Sequence, residues 1–211
     1  MFEITTSPRT KLLDATFQVV RAQGYAGASV DDICREARVT KGSFFHHFKS
    51  KDELAIAATE HWTAVTGNLF ATAPFSSIKN PRERVLAYID FRASLIQGDL
   101  PDFTCLIGTL VQETFDTHPA IREACNLAIL AHARTVEKDL ADAKRVYARK
   151  AAWEPASVAL FTQAAIQGAF ILAKAQNNPN TARQTITHLR NYVASLLPRD
   201  GRANAIRKTS N

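Results

Sequence analysis

The spacing of apolar residues is the feature that most restricts how this chain folds. Over nearly all of its 211 residues, apolar side chains recur at intervals of three and four, and Gly and Pro fall mostly between these periodic segments. The alternation of apolar and polar residues that a half-buried strand needs is missing. With 46% hydrophobic residues, the chain can bury a substantial core. The sequence therefore predicts an all-α protein.

Helix-capping signals divide the first fifty residues into short segments. Ser7 is placed to cap a first helix, which ends at Gly24. Ser29 begins a second helix, which stops around Arg38, and Thr40 begins a third. Ser50 and Glu53 form an S-x-x-E capping box that starts a helix at Lys51. This helix is predicted to extend to about residue 72. The third helix is therefore very short.

The third helix, in the stretch TKGSFFHHF, has one apolar face and one exposed face. Phe44 and Phe48 lie four residues apart and are expected to pack onto the first two helices. The residues expected outside are Lys41, Ser43, Phe45, His46 and His47. Two helices joined by a tight turn form a helix-turn-helix, whose last helix enters the DNA major groove. Donors and a ring at such exposed positions suit contacts with bases and phosphates.

The two adjacent histidines admit other interpretations. Both can be solvated surface residues, or they can bind a metal ion. Adjacent helical residues point about 100° apart, and the sequence offers no third ligand at a sensible spacing. A metal site is therefore not expected, and no cofactor is predicted.

Charge and cysteine content narrow the class of protein. The formal net charge is +6 and the isoelectric point about 9.4, yet residues 1–53 hold eight Lys and Arg against seven Asp and Glu. A nucleic-acid surface there must come from the placement of charges. Three cysteines at unrelated spacings argue against a disulfide framework. The first residues resemble no leader, and no apolar run approaches the length of a membrane span, so a cytoplasmic location is expected.

The remainder of the chain reads as helices without catalytic motifs. After a loop from Pro74 to Pro81, helices are predicted near 82–97, 102–115, 119–149, 156–176 and 180–196. The sequence contains no phosphate-binding glycine loop, no H-E-x-x-H and no G-x-S-x-G. We therefore do not expect an enzyme. The alternative is a small-molecule-binding or thiol-based enzyme that retains a helix-turn-helix as an interaction module.

The segment ASVDDICREARVTKGSFFHHFKSKDEL resembles the signature of TetR-type transcriptional regulators, over residues 8 to about 56. By position, the resemblance implies major-groove contacts from Lys41, Gly42, Ser43, Phe45 and His47. It implies phosphate contacts from Ser29, Thr40 and Lys51. The family usually has tyrosine where this chain has Phe45, so a phosphate hydrogen bond worth about 1 kcal/mol is lost. Affinity or site preference is expected to change, but not the mode of binding.

The resemblance also implies a domain organisation. It places a three-helix helix-turn-helix domain at 1–50 and a helical regulatory and dimerisation domain at 51–198. Residues 199–211 hold four basic residues against one acidic and lack apolar periodicity, so a basic, disordered tail is expected there. The resemblance further implies a homodimer on double-stranded operator DNA, most simply a repressor released by a small effector, although activation remains possible. The expected two-fold interface lies on the last two helices, where Ala164, Gly168 and other small residues permit close approach; internal packing is the alternative.

The regulatory domain is expected to hold an effector pocket. The candidate lining residues are aromatic, and the candidate hydrogen-bonding residues lie mostly three or four positions apart. Ligand cavities combine residues of these two kinds. The aromatic candidates are Trp62, Phe91, Phe103, Phe115 and Phe170, and the polar ones are Thr109, Gln112, Glu113 and Gln167. The alternative is that these aromatic residues are simply core.

Cys105 is the best candidate for a reactive thiol. It lies near the start of a predicted helix, where free backbone N–H groups favour the thiolate. Its surroundings resemble a subset of TetR-like regulators with a Cys-Leu-x-Gly-x-Leu-x-x-Glu run, some of which respond to electrophiles or oxidants; Thr104 replaces their usual Gly. Lys174 lies in an apolar run and is predicted to approach this thiol. An inert, buried Cys105 and a snorkelling Lys174 are the alternatives.

Overall fold

The computed structural model describes residues 7–199. Within that range the chain forms ten α-helices and one short 3-10 helix, Pro74–Ser77, and no strand, which confirms the all-α prediction. In chain order the α-helices are α1 Pro8–Gly27, α2 Val30–Ala37, α3 Lys41–His47, α4 Lys51–Thr72, α5 Pro81–Ser94, α6 Leu100–Phe103, α7 Leu106–Thr114, α8 Pro119–Tyr147, α9 Pro155–Gln176 and α10 Pro179–Leu196. Apart from Arg199, the predicted tail at 199–211 lies outside the described residues.

The predicted N-caps of the first three helices are confirmed. The hydroxyls of Ser7, Ser29 and Thr40 each accept a hydrogen bond of 3.1–3.2 Å from the backbone N–H three residues later. The Asp32 carboxylate accepts from the Ser29 backbone N–H at 3.1 Å and completes a capping box. Because each cap joins residues only three apart, these helix starts are determined locally.

Gly24 breaks the first helix, as the sequence predicts, because its backbone angles are not helical. Gly24 interrupts α1 with φ +80°, and helical structure then continues to Gly27. Any other residue would be strained at this φ, and a Cβ on Gly24 would lie 2.4 Å from Oε1 of Glu113, so that side chain would also have to move. Glycine adopts this φ at little cost, so the chain kinks here between two helical segments.

The predicted helix at 102–115 is in fact two helices, α6 and α7. Thr104 and Cys105 have extended backbone between them. The carbonyls of Asp102 and Thr104, which would accept bonds within a continuous helix, instead accept from the guanidinium of Arg21. Cys105 is consequently the N-cap of α7 rather than a residue inside a helix.

The described chain packs as two compact units, each discontinuous in sequence. The first contains the residues up to Phe70 together with Gln97–Leu130, and α1 packs there against α2, α3, α6 and α7. The second contains Ala71–Ile96 and the residues from Ala131 onward, and α10 packs there against α9 and α5. The predicted domain boundary at residue 50 stays a prediction, because a packing unit and a functional domain need not coincide.

The first unit holds a contiguous apolar core. Leu12, Phe44, Leu54 and Leu110, from α1, α3, α4 and α7, have no exposed surface. Helix α3 is therefore held through its apolar side, as the sequence predicts.

Helix α9 differs from the expectation that no apolar run approaches a membrane span. Its 22 residues are long and apolar enough to cross a bilayer by length and composition, and 44% of the apolar window is buried inside the protein. The reason is that α9 is apolar on more than one side. Ile166 and Ala169 are fully buried, whereas Phe161 and Leu172 are nearly half exposed.

Candidate functional site

Helix α3 presents one side to the core and the other to solvent. Phe44 is fully buried and Phe48 is 2% exposed, whereas Phe45 is 54% exposed. The rings of Phe44 and Phe45 meet edge to face, with centroids 5.1 Å apart. Helical spacing thus leaves the Phe45 ring outside the core, while Phe44 and Phe48 hold α3 against it.

The predicted base-reading residues share the outer part of α3. Lys41, Gly42 and Phe45 are exposed, and Ser43 and His47 are half-buried. Of the predicted phosphate contacts, Ser29 and Thr40 are exposed, and their hydroxyls already accept the capping bonds. The Ser29 O–H already donates to Oδ2 of Asp32, whereas the Thr40 hydroxyl retains its own O–H for a phosphate oxygen.

Lys51, the third predicted phosphate contact, is held by its own chain. Its Nζ donates to the carbonyls of Tyr25, at 2.9 Å, and Ala28, at 3.1 Å, and lies 4.2 Å from the centre of the Tyr25 ring. The ammonium therefore stabilises the carboxyl end of α1. Burial, followed by the hydrogen bond to Asp52, raises the pKa of Tyr25, so its hydroxyl remains a donor to that carboxylate.

Lys41 also has an acidic partner. Its Nζ lies 3.0 Å from Oδ1 of Asp31, and both side chains are more than half exposed. The next carboxylate, on Asp32, is 2.8 Å from the guanidinium of Arg35. The exposed face of α2 and α3 thus carries both signs of charge.

Arg21 joins α1 to the segment between α6 and α7. Its side chain is only 7% exposed, its Nε donates to the Phe17 carbonyl at 2.8 Å, and its Nη1 donates to the Asp102 and Thr104 carbonyls at 2.9 and 3.3 Å. Its guanidinium also lies 5.2 Å from the Trp62 ring centre. Burial lowers the pKa of Arg21, and Asp102 offsets part of this effect. The buried charge is therefore stabilised by carbonyls that lie over eighty residues away in the chain.

Cys105 follows this segment directly. It is half-buried against the core of the first unit, and its Sγ accepts a bond from the Gly108 N–H at 3.5 Å. The preceding Thr104 is 1% exposed, and its hydroxyl has no hydrogen-bond partner. Cys34 and Cys125 are buried; burial raises the pKa of Cys34, and that of Cys125 to about 11.

The predicted polar points on α7 bond to backbone. Thr109 and Gln112 donate to carbonyls one turn earlier on the same helix, those of Cys105 and Gly108. Oε2 of Glu113 accepts from the Ala26 N–H at 2.9 Å, so this side chain holds the end of α1. Arg21 and Glu113 thereby fasten α1 near both ends of α7.

The other predicted effector residues lie in the second unit, except Trp62, Phe103 and Phe115 in the first. Phe91 packs 5.6 Å from the ring centre of Phe75, Phe170 is buried and Gln167 half-buried. Lys174 is exposed in the last turn of α9. The approach of Lys174 to Cys105 stays a prediction.

The second unit also contains a buried polar cluster that the sequence analysis did not identify. The Tyr88 hydroxyl and His132 Nε2 are 2.8 Å apart, and Gln163 Nε2 lies 3.5 Å from the same hydroxyl. Burial, with a smaller effect of Arg92, lowers the pKa of His132 to about 4. The imidazole is therefore neutral at physiological pH. Among residues 7–199, no group of three or more His, Cys, Asp or Glu is placed to hold a metal ion.

Two family profiles match this chain, one near its N-terminus and the other over most of the remainder. One, described as bacterial regulatory proteins of the tetR family, covers residues 12–58 and therefore α2, α3 and most of α1. The other, described as the C-terminal domain of LmrA/YxaF-like transcriptional regulators, covers residues 81–188, more than half of the chain. The chain belongs to the TetR family. It is thus a helix-turn-helix transcriptional regulator.

Relatives of this TetR-family protein match over most of their lengths. The transcriptional repressor NemR of Escherichia coli K12 is 24% identical over 89% of this chain and 94% of its own. The regulator LmrA of Bacillus subtilis 168 is 26% identical over 90% and 97%. The structure of reduced E. coli NemR gives a TM-score of 0.75 over 87% and 95% of the two chains, at 24% identity. A regulatory protein TetR from Rhodobacter sphaeroides gives 0.78 over 89% and 99%, at 22% identity.

Three features of this TetR-family chain escaped the sequence analysis. Arg21 carried a signal, because it lies four residues after Phe17 on the apolar face of α1, where a charge requires partners. The sequence contains no signal for the Tyr88–His132 pair or the Asp31–Lys41 pair, because the partners in each pair are too far apart in sequence to lie one helical turn apart.

Proposed function

We propose that this TetR-family regulator is a homodimeric, cytoplasmic repressor that binds operator DNA through α3 and is released by a small effector or by an electrophile that modifies Cys105. The observation that carries the DNA-binding part is the division of α3 into a buried face and an exposed face. Phe44 fixes the helix in the core while Phe45, beside it in sequence, is 54% exposed.

In this proposal α3 lies in the major groove. Lys41 and His47 donate to base edges, Ser43 and Gly42 permit close approach, and Phe45 contacts a thymine methyl group. Ser29, Thr40 and Lys51 contact phosphates. An ammonium has three N–H donors, so Lys51 can donate to a phosphate while keeping its two carbonyl bonds.

The test is binding to DNA fragments from the flanks of its own coding region, measured by fluorescence anisotropy at several salt concentrations. We expect salt-sensitive binding to one fragment and weaker binding to shuffled sequence. Lys41→Met should change the preferred bases, with discrimination falling by about 1–3 kcal/mol at one base pair. Equal affinity for every fragment would contradict the proposal.

The proposed dimer interface is the exposed apolar face of α9 and α10. Phe161 and Tyr192, each nearly half exposed, contact each other with ring centroids 5.0 Å apart. Leu172 is 49% exposed on the same helix as Phe161, and a Cβ on Gly168 would meet nothing within 4 Å. A second copy of this face would cover these side chains, and a dimer supplies the two recognition helices that helix-turn-helix proteins place about 34 Å apart on DNA.

Dimerisation is tested by light scattering coupled to size exclusion. The wild type should elute as twice the 23.3 kDa chain, and Phe161→Glu should shift it to the monomer because a charge would be buried in the interface. Val146→Glu, at a position that is 63% exposed outside α9 and α10, is the matched control and should remain dimeric. A dimeric Phe161→Glu variant would exclude this face.

Cys105 is proposed as the reactive thiol because it is the half-buried one. Cys34 and Cys125 are buried, and their raised pKa values keep them as thiols at neutral pH. An adduct on Cys105 would alter the N-cap of α7, which packs on α1. For the effector pocket, we propose the aromatic and polar residues that the sequence predicts.

The thiol proposal is tested by treating wild type and Cys105→Ser with an electrophile such as N-ethylmaleimide. Mass spectrometry should locate the adduct on Cys105, and operator release should follow it in the wild type alone. If both proteins release DNA equally, Cys105 is not the switch. The proposed role of Lys174 is tested with Lys174→Met, which should slow the modification of Cys105.

A further inference from the structure

The ion pair between Asp31 and Lys41 lies where α3 begins. Nζ of Lys41 is 3.0 Å from Oδ1 and 3.2 Å from Oδ2 of Asp31, so the ammonium is shared by both oxygens. Asp31 is in the first turn of α2 and Lys41 is the first residue of α3. The contact therefore spans the turn of the helix-turn-helix.

Asp31 is not needed to form α2. The neighbouring Asp32 accepts the Ser29 backbone N–H and pairs with Arg35, and so supplies the capping interactions of this helix. The side chain of Asp31 is 61% exposed and that of Lys41 is 56% exposed. Removal of the Asp31 charge should consequently leave the fold intact, whereas any effect on Lys41 would appear in binding.

A carboxylate beside a DNA-reading lysine affects two kinds of contact differently. Phosphates are distributed along every sequence, and a lysine that neutralises one contributes to sequence-independent affinity. Base-edge acceptors such as guanine O6 and N7 occur only at particular positions and reward a directed donor. Because an ammonium has three N–H donors, Lys41 can keep Asp31 while it donates to a base edge beside the pair. A contact that draws Lys41 away to a phosphate must break the pair, and its net gain is smaller by the cost of that break.

We propose that Asp31 is a specificity-determining residue, which restrains Lys41 so that non-specific DNA binding is weakened more than operator binding. The proposal rests on the proposed function, in which α3 reads the major groove. Asp31 acts through Lys41 and need not contact DNA itself.

The experiment compares Asp31→Asn with Glu36→Gln, which removes one negative charge from an exposed position of the same helix. Dissociation constants are measured by anisotropy on the operator fragment and on shuffled DNA. Asp31→Asn should bind shuffled DNA about 3–10-fold more tightly, with a log–log salt slope steeper by about 0.9 because one more phosphate is neutralised. Its operator affinity should change less than about 2-fold, and Glu36→Gln should affect both DNAs equally.

A second arm uses Lys41→Met to show that Asp31 acts through this lysine. In the Lys41→Met background, Asp31→Asn should alter the ratio of the two constants no more than Glu36→Gln does. The inference is overturned if Asp31→Asn tightens both DNAs alike, or if its effect persists without Lys41. Lys41→Met with wild-type affinity and base preference would also overturn it, while leaving the repressor proposal intact. Absence of any selective fragment for the wild type would instead refute the proposed function.

Discussion

Arg21→Met should destabilise the first unit substantially, although methionine fits the apolar surroundings. The guanidinium is almost fully buried, and its Nη1 supplies hydrogen bonds to the carbonyls of Asp102 and Thr104, at 2.9 and 3.3 Å. Methionine preserves much of the stem packing but donates nothing. The two carbonyls lose their partner, and the break between α6 and α7 loses the contact that holds it to α1.

The magnitude follows from these bonds. A hydrogen bond to a charged group contributes about 1.5–3 kcal/mol, and the bond to Thr104 is buried whereas that to Asp102 is only partly buried. Burial also disfavours the charged guanidinium, as its lowered pKa indicates, so removal of the charge recovers part of the loss. We expect the free energy of unfolding to fall by about 2–4 kcal/mol, which at about 2 kcal/mol per molar lowers the urea midpoint by about 1–2 M.

The chain allows the first unit to be observed separately. Of its two tryptophans, Trp62 lies in the first unit and Trp153 in the second, so Trp153→Phe leaves the emission of Trp62 as the probe. Urea titrations at one protein concentration compare Arg21→Met with Lys11→Met, a charge removed from an exposed position of α1. A loss below about 0.5 kcal/mol, the size expected for an ordinary surface substitution, would refute the reasoning.

Three further substitutions test other contacts by urea titration, with Trp62 as the probe for the first two and Trp153, in the second unit, as the probe for His132. Thr104→Val should raise the free energy of unfolding by about 1 kcal/mol, because the buried hydroxyl has no hydrogen-bond partner. If Thr104→Val instead lowers the free energy of unfolding by more than about 0.5 kcal/mol, which exceeds the range of neutral changes, the hydroxyl has a partner. Gly24→Ala should destabilise the protein by about 1–3 kcal/mol, since φ is +80° and the new Cβ would clash with Glu113; Ala22→Gly, on the exposed face of α1, should cost no more than about 1 kcal/mol. Because the pKa of His132 is about 4 when folded and about 6.5 when unfolded, the unfolded chain takes up the proton first as the pH falls. The contribution of His132 is complete above pH about 6.5 and is lost toward pH 4, by up to about 3 kcal/mol; His132→Gln should flatten this part of the profile, and an unchanged slope would contradict the assignment.

The helix starts and the short helix α3 could be predicted from the sequence. Each cap is a bond between residues three apart, such as Ser29 with Asp32 or Thr40 with Ser43, so the local sequence contains both partners. The opposite fates of Phe44 and Phe45 follow from helical spacing alone, because adjacent residues point to different sides. The family signature lies in this same local segment.

Tertiary structure alone decided the contacts that connect this segment to the rest of the first unit. Arg21 bonds to carbonyls 81 and 83 residues away, and Glu113 accepts a bond from Ala26, 87 residues away. The first contact accompanies a break where periodicity predicted one helix, and the second holds the short helical segment that follows the kink at Gly24. Apolar periodicity specifies which face of a helix is buried, but not which backbone groups of a distant segment will meet a buried charge. That choice depends on how the helices pack in three dimensions.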